Sequence, residues 1–138
     1  MIIDAKNLIA GRIGTVAAKK ALGGETISII NAEQAVITGA KVWLLKEFAR
    51  KKQSKDARKG PFYPRQPERI LKRIIRGMVP YKTTHGREAF ARIKCYVGVP
   101  EEFVGKKAET IKGADVGKLT TPRYMTIKDL SKSIGGMK

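Results

Sequence analysis

Residues 1–30 read MIIDAKNLIAGRIGTVAAKKALGGETISII. Ile2-Ile3 with Ala5 predicts a short buried strand. From Ile9 to Leu22, apolar residues recur at Ile9, Ile13, Val16, Ala17 and Ala21, the spacing of one helix face. Gly23-Gly24 stops that helix, because glycine accepts the left-handed conformation beyond a helix end. Thr26-Ile27-Ser28-Ile29-Ile30 is rich in β-formers and predicts a second strand. Strand, helix and strand in this order begin an α/β layer fold.

Outward from this unit, Ala35-Val36-Ile37-Thr38 predicts another short strand, ended by Gly39. Leu44, Leu45, Phe48 and Ala49 form the apolar stripe of a helix that gives way to loop between Lys52 and Lys59. Gly60-Pro61-Phe62-Tyr63-Pro64 cannot continue a helix. Pro67 opens the clearest helix of the chain, since proline suits the first helical turn. Its stripe is Ile70, Leu71, Ile74, Ile75 and Met78, with Arg69, Lys72, Arg73 and Arg76 outside it. Residues 79–86 read as a loop, Glu88 to Arg92 as a short helix and Ile93 to Val99 as a buried strand with Cys95 and Val97 on one face. The tail from Lys112 reads as loop, then a short helix from Ile127 to Ile134. No repeat, low-complexity tract or linker divides the 138 residues. The expectation is one domain, 1–138, with a small sheet sandwiched by helices.

Charge narrows the function. The chain carries 29 Lys and Arg against 12 Asp and Glu, a formal net charge of +17. An excess of this size repels itself in a compact fold and calls for a polyanionic partner, phosphate backbone above all. The excess is local. Residues 1–40 hold four basic and three acidic residues, 41–94 hold 17 and four, and 95–138 hold eight and five. A basic helical and loop region at about 41–94 is therefore the candidate anion-binding surface. No apolar run approaches the roughly 20 residues of a membrane span. The N-terminal residues lack the basic and apolar regions of a secretory signal. One cysteine, Cys95, precludes an internal disulfide and fits a reducing compartment.

Enzymatic readings lack parts. Gly11-Arg12-Ile13-Gly14 after a strand falls short of the dinucleotide fingerprint, which needs a third glycine where Thr15-Val16-Ala17 stands. A tight strand-to-helix turn is the expectation there, with Arg12 free to meet phosphate at the helix start. His85 is the only histidine, and its neighbours Lys82, Thr83, Thr84 and Arg87 suit a phosphate contact better than proton transfer. One His and one Cys cannot ligate zinc. Glu101-Glu102 suits a helix N-terminus better than a catalytic pair. The densest feature is Arg50-Lys51-Lys52, Lys55, Arg58-Lys59 and Arg65, with few acids interleaved. Phe62 and Tyr63 follow it. They either stack on unpaired bases or plug the edge of the core, and the sequence leaves both open. A DNA-binding regulator is disfavoured, because neither helix-turn-helix spacing nor dimer-forming heptads occur.

Ile75-Arg76-Gly77-Met78-Val79-Pro80, five residues, Gly86-Arg87, five more, then Ile93-Lys94-Cys95-Tyr96 resembles the signature of the large-subunit ribosomal protein family numbered thirteen. Asp4-Ala5 with Gly11-Arg12-Ile13, and Asn31-Ala32-Glu33 with Val36-Ile37-Thr38-Gly39, resemble two further blocks of that family. The Tyr96-Val97-Gly98-Val99-Pro100 segment looks like the archaeal branch. The resemblance implies a three-layer α/β/α fold around a four-stranded, mainly parallel sheet. It also implies a cytoplasmic place in the ribosome, large-subunit rRNA and neighbouring ribosomal proteins as partners, and a role in subunit assembly and translation. It implies no catalysis, no cofactor, no small-molecule substrate and no membrane. Individual RNA contacts rest on charge and position alone: Arg12, Arg50, Lys51, Lys52, Lys55, Arg58, Lys59, Arg65, Arg69, Arg73, Lys82, Thr83, His85 and Arg87.

Overall fold

The computed structural model describes residues 1–54 and 58–136. Strand β1 (Ile2–Asp4), helix α1 (Ala10–Leu22) and strand β2 (Ile27–Ile30) form the expected opening unit. Strand β3 (Val36–Thr38) follows, then helices α2 (Lys41–Gln53), α3 (Pro67–Arg76) and α4 (Thr84–Ala91). Strand β4 (Ile93–Cys95), strand β5 (Tyr124–Thr126) and helix α5 (Ile127–Ser133) complete the chain. The fold is mixed α/β.

The parallel sheet has the order β1-β2-β4. Ile3 lies opposite Ile29, and Ile29 opposite Cys95. Strand alternation then puts Ile3, Ile27, Ile29, Ile93 and Cys95 on one face. Helices α1, α3 and α4 touch one another and that sheet, so they share this face. Ile13, Ala17, Ile70, Leu71, Ile75 and Ala89 fill the space between with no solvent exposure. Each large aliphatic side chain buried there contributes roughly 1.5–3 kcal/mol through transfer from water.

The sheet has three strands where four were expected. A further parallel neighbour at the β1 edge is reduced to a single bridge at Glu109, whose N–H donates to the Ile2 carbonyl at 2.9 Å. The remaining strands pair elsewhere: β3 and β5 make a separate antiparallel ribbon, with Ile37 opposite Met125. Strand β5 carried no sequence signal strong enough to separate it from loop. Strand β4 stops at Cys95, short of the expected Val99, so Val97 and Val99 stand exposed.

Helix α1 includes Gly11 and Gly14, which the sequence placed in a turn. Gly14 is buried against the end of α3: a Cβ there would meet Met78 Sδ at 2.7 Å, forcing that flexible side chain to give way, and would touch Ile75 Cγ1 at an ordinary 3.6 Å. Helix α3 begins on Pro67 as expected and buries Ile70, Leu71 and Ile75. The predicted stripe was too wide, for Ile74 is only half-buried and Met78 is 40% exposed.

Helix α4 starts at Thr84 and not at Glu88. Its cap is Thr83, whose Oγ1 accepts from Gly86 N–H at 3.1 Å and donates to the Pro80 carbonyl at 2.8 Å. Gly86 is fully packed, and any Cβ on it would overlap the Pro80 carbonyl. The Asn31-Ala32-Glu33 block is structural in the same way. Asn31 adopts φ 55° and donates from Nδ2 to Asp4 at 2.9 Å, while the buried Glu33 accepts from Gly98 N–H at 3.1 Å. At the far end of the chain, Ser131 Oγ donates to the Arg65 carbonyl at 2.6 Å, and the backbone of Gly136 lies so close to that carbonyl that no side chain would fit.

Candidate nucleic-acid interface

Helices α2 and α3 bring basic side chains together, and α4 sets the Phe90 ring beside them. Helix α2 turns Leu44 and Phe48 inward and ends on Arg50, Lys51 and Lys52, cations that suit the negative end of its dipole. Glu47, one turn earlier, partly offsets them. Its carboxylate accepts from Arg50 Nε at 3.0 Å and Nη2 at 2.8 Å, and Lys51 Nζ lies 3.4 Å away. The Arg50 hydrogen bond is the main reason the Glu47 carboxyl is held down at about 2, and it raises the Arg50 guanidinium in return. The basic stretch is therefore less free of acids in space than in sequence.

Helix α3 supplies the centre. Because its apolar stripe faces the core, Arg69, Lys72, Arg73 and Arg76 line up on the other side. Three of them are laid over aromatic rings. The Arg73 guanidinium is 5.1 Å from the Tyr63 ring centre, Arg76 is 4.1 Å from Tyr81, and Lys72 Nζ is 4.9 Å from Phe90. Lys51 Nζ stands 5.0 Å from the Phe48 ring at the α2 end. The rings themselves meet edge to face, Phe48 with Tyr63 at 5.6 Å and Tyr81 with Phe90 at 5.3 Å. Such contacts hold flexible cations in defined places while leaving them accessible.

The surface between these side chains is concave. One hollow of about 320 Å³ lies between α2 and Tyr63, a second of about 440 Å³ between Phe62 and Phe90, and a third of about 680 Å³ between α3 and Lys82-Thr83. Arg73 lines all three. Neighbouring hollows share walls, Tyr63 between the first two and Arg76 and Tyr81 between the last two, and together they are treated as one track.

The sequence candidates distribute as follows. Arg50, Lys51, Arg69, Arg73, Lys82 and Thr83 line the track, although the Thr83 hydroxyl is already engaged as a helix cap. Lys52 is half-buried at the end of α2, and Arg58, Lys59 and Arg65 are on the segment leading to α3, Arg58, Lys59 and Arg65 all exposed there. His85 and Arg87 are exposed in the first turns of α4, on helix and not on the expected loop. Lys55 lies outside the described residues. Arg12 is elsewhere: it donates to the Gly113 carbonyl and borders a separate hollow with Lys112. Tyr63 packs at the core edge against Phe48, where burial raises its phenol, and Phe62 is 62% exposed.

Sequence reasoning missed Lys72 and Arg76 as site residues. Their helical spacing with Arg69 and Arg73 was the available signal. Tyr81 and Phe90 could be found only once α4 folded back beside α3. Cys95 takes no part: burial pushes its thiol up to about 12. Among the described residues, no group of His, Cys, Asp and Glu is placed to hold a metal ion, and no helix is long and apolar enough to cross a membrane.

Residues 1–102 match the family described as ribosomal protein L13. The chain is 43% identical over 134 residues to the large ribosomal subunit protein uL13 of Methanococcoides burtonii, covering 97% of this chain and 96% of that protein. It is 44% identical over 136 residues to the uL13 of Methanopyrus kandleri, covering 97% and 86%. The uL13 of Methanocaldococcus jannaschii is 44% identical over 138 residues, with 97% and 96% covered.

Proposed function

Because the chain belongs to the ribosomal protein L13 family, we propose that the track along α2, α3 and α4 is the surface by which it holds large-subunit rRNA. The protein is a structural constituent of the large ribosomal subunit and not an enzyme. Its partners are rRNA and neighbouring ribosomal proteins, and its binding supports subunit assembly and translation. The whole chain, 1–138, acts as one domain. The family's three-layer α/β/α arrangement is the finer reading of its fold, with α1, α3 and α4 as one of the helical layers.

The observation that carries the reading is the set of cations held over rings, Arg73 on Tyr63, Arg76 on Tyr81 and Lys72 on Phe90. Guanidinium and ammonium groups neutralise phosphates, and neighbouring ring faces accept unpaired bases. Arg50, Lys51, Lys52, Lys55, Arg58, Lys59, Arg65, Arg69, Lys82, Thr83, His85 and Arg87 extend the contact to either side. Arg12 makes a second, smaller one beside Lys112. Each phosphate neutralised releases counterions, so affinity falls steeply with salt. The test is binding of the full chain to a large-subunit rRNA fragment across a salt series. Replacing Lys72, Arg73 and Arg76 by Gln is expected to weaken binding and flatten the salt slope. Unchanged affinity and slope would place the interface elsewhere.

A further inference from the structure

Trp43 is the only tryptophan in the chain, and it is 61% exposed on the first turns of α2. An indole left this open forgoes the transfer free energy that burial of so large a ring normally provides. Its helix does have a buried side, taken by Leu44 and Phe48, and Trp43 points away from it. A hollow of about 340 Å³ beside the ring is lined by Trp43, Lys46, Glu47 and Arg50. Glu47 is paired with Arg50 and Lys51, so the ring is bordered by the Lys46 cation and by the Glu47–Arg50 pair.

The surroundings choose between two occupants. The core of a protein–protein interface is depleted of charge, whereas Trp43 has a charged residue at each helical neighbour on its own side, Lys46, Glu47 and Arg50. Only Val42, 75% exposed, adds apolar surface. Aromatic faces set among cations are what single-stranded nucleic acid uses, since every base has a ring to stack and a phosphate to neutralise. Arg50 also lines the hollow that leads to Tyr63 and Arg73, so Trp43 stands at the end of the same track. Seven residues of helix separate Trp43 from Arg50, about 10 Å of rise.

Resting on the rRNA reading above, we propose that Trp43 is a stacking platform for an unpaired base of the bound RNA, with Lys46 and Arg50 holding the adjoining phosphates. The platform extends the interface past the end of the track and gives it a contact that salt alone does not dissolve.

Because Trp43 is unique, its emission reports on this site and no other. The full chain is titrated with a single-stranded fragment of large-subunit rRNA carrying a fluorescent end label, with excitation where tyrosine does not absorb. Label anisotropy reports binding, and indole emission reports stacking. The expected result is quenching in step with binding. Inorganic polyphosphate, which has the charge but no base, should bind without quenching. Trp43→Ala should weaken RNA binding roughly 5- to 150-fold, the range seen when stacked aromatics are removed, and Trp43→Phe should retain most of the affinity. Thermal melting of both variants should match the wild type, since the ring is exposed. Binding without quenching, or equal quenching by polyphosphate, would overturn the platform and leave the track standing. Quenching that is absent with RNA but replaced by a blue shift on adding other large-subunit proteins would assign Trp43 to a protein contact instead. No binding at all would bring down the rRNA reading and the platform with it.

Discussion

Helices α1 and α3 cross each other and use opposite means to do it. Helix α1 packs through Ala10, Ile13, Ala17, Ala18 and Ala21, mostly small side chains, and turns Arg12 and Lys19 out to solvent. Helix α3 buries Ile70, Leu71 and Ile75 on one side and holds Arg69, Lys72, Arg73 and Arg76 on the other. The first packs through small side chains and the second through large aliphatic ones, and on the reading proposed above the outer face of the second carries the main RNA contact. On that reading packing and binding are separated by helix face and not by domain. A protein of 138 residues can then carry a net charge of +17 because the excess is displaced from the core by half a helix diameter.

The separation can be broken by substitutions on either side of α3. Ile75→Ala removes a fully buried side chain at the crossing and is expected to cost about 2–5 kcal/mol of stability. Thermal and denaturant unfolding of the free protein measure it. RNA affinity of the folded fraction should be unchanged, and a large drop would mean the two faces are coupled. On the other face, Lys72, Arg73 and Arg76 to Gln should leave the melting temperature within a few degrees. It should reduce the slope of log affinity against log salt by about 2–3, near 0.7–0.9 for each phosphate that is no longer neutralised. If that variant unfolds instead, the cations are packing groups and the two faces of α3 do not divide the tasks.

Two smaller effects sharpen the boundary. Thr83→Ala removes the cap of α4 and should cost about 1 kcal/mol, with faster hydrogen exchange at Gly86 and Arg87 as the local sign. Finally, the Glu47 carboxyl is held at about 2 against an ordinary 4.5. A lowered folded value means that the Arg50 pairing is in place at neutral pH and is lost as pH falls from about 4.5 toward 2. Titration of Glu47 by NMR should show this, and Arg50→Gln should return the carboxyl toward its ordinary range. An ordinary value in the wild type would show that Arg50 is free for phosphate before RNA arrives.

What the sequence reveals follows from how local each signal is. Helix α1, strand β2 and the start of α3 depend on periodicity, a glycine pair and one proline, all within a few residues, and they appear where expected. The fourth parallel strand was an expectation of resemblance, and among the described residues the parallel sheet has three, with only an isolated bridge at Glu109 beyond β1. Strand β5 exists because β3, from the first third of the chain, lies opposite it, and no local pattern encodes that pairing. Gly86 could be read only as a flexible loop residue. Its real constraint is the Pro80 carbonyl beside it, and that neighbour turns the expected loop into the first turn of α4. The candidate site follows the same rule. Charge density pointed to α2 and the segment after it as candidates, while the pairing of Lys72 and Arg76 with Phe90 and Tyr81 needed α4 folded against α3.

The clasp on Arg65 adds a matter of timing. Its carbonyl is taken by Ser131, 66 residues later in the chain. A ribosome builds from the N-terminus at about 5–20 residues per second, so the clasp is synthesised roughly 3–13 s after the residue it fastens. Through that interval β1, β2 and α1 have already been made, while the segment entering α3 still waits for its anchor. The order of manufacture thus places the fastening of this basic segment last, after the scaffold that it leans on.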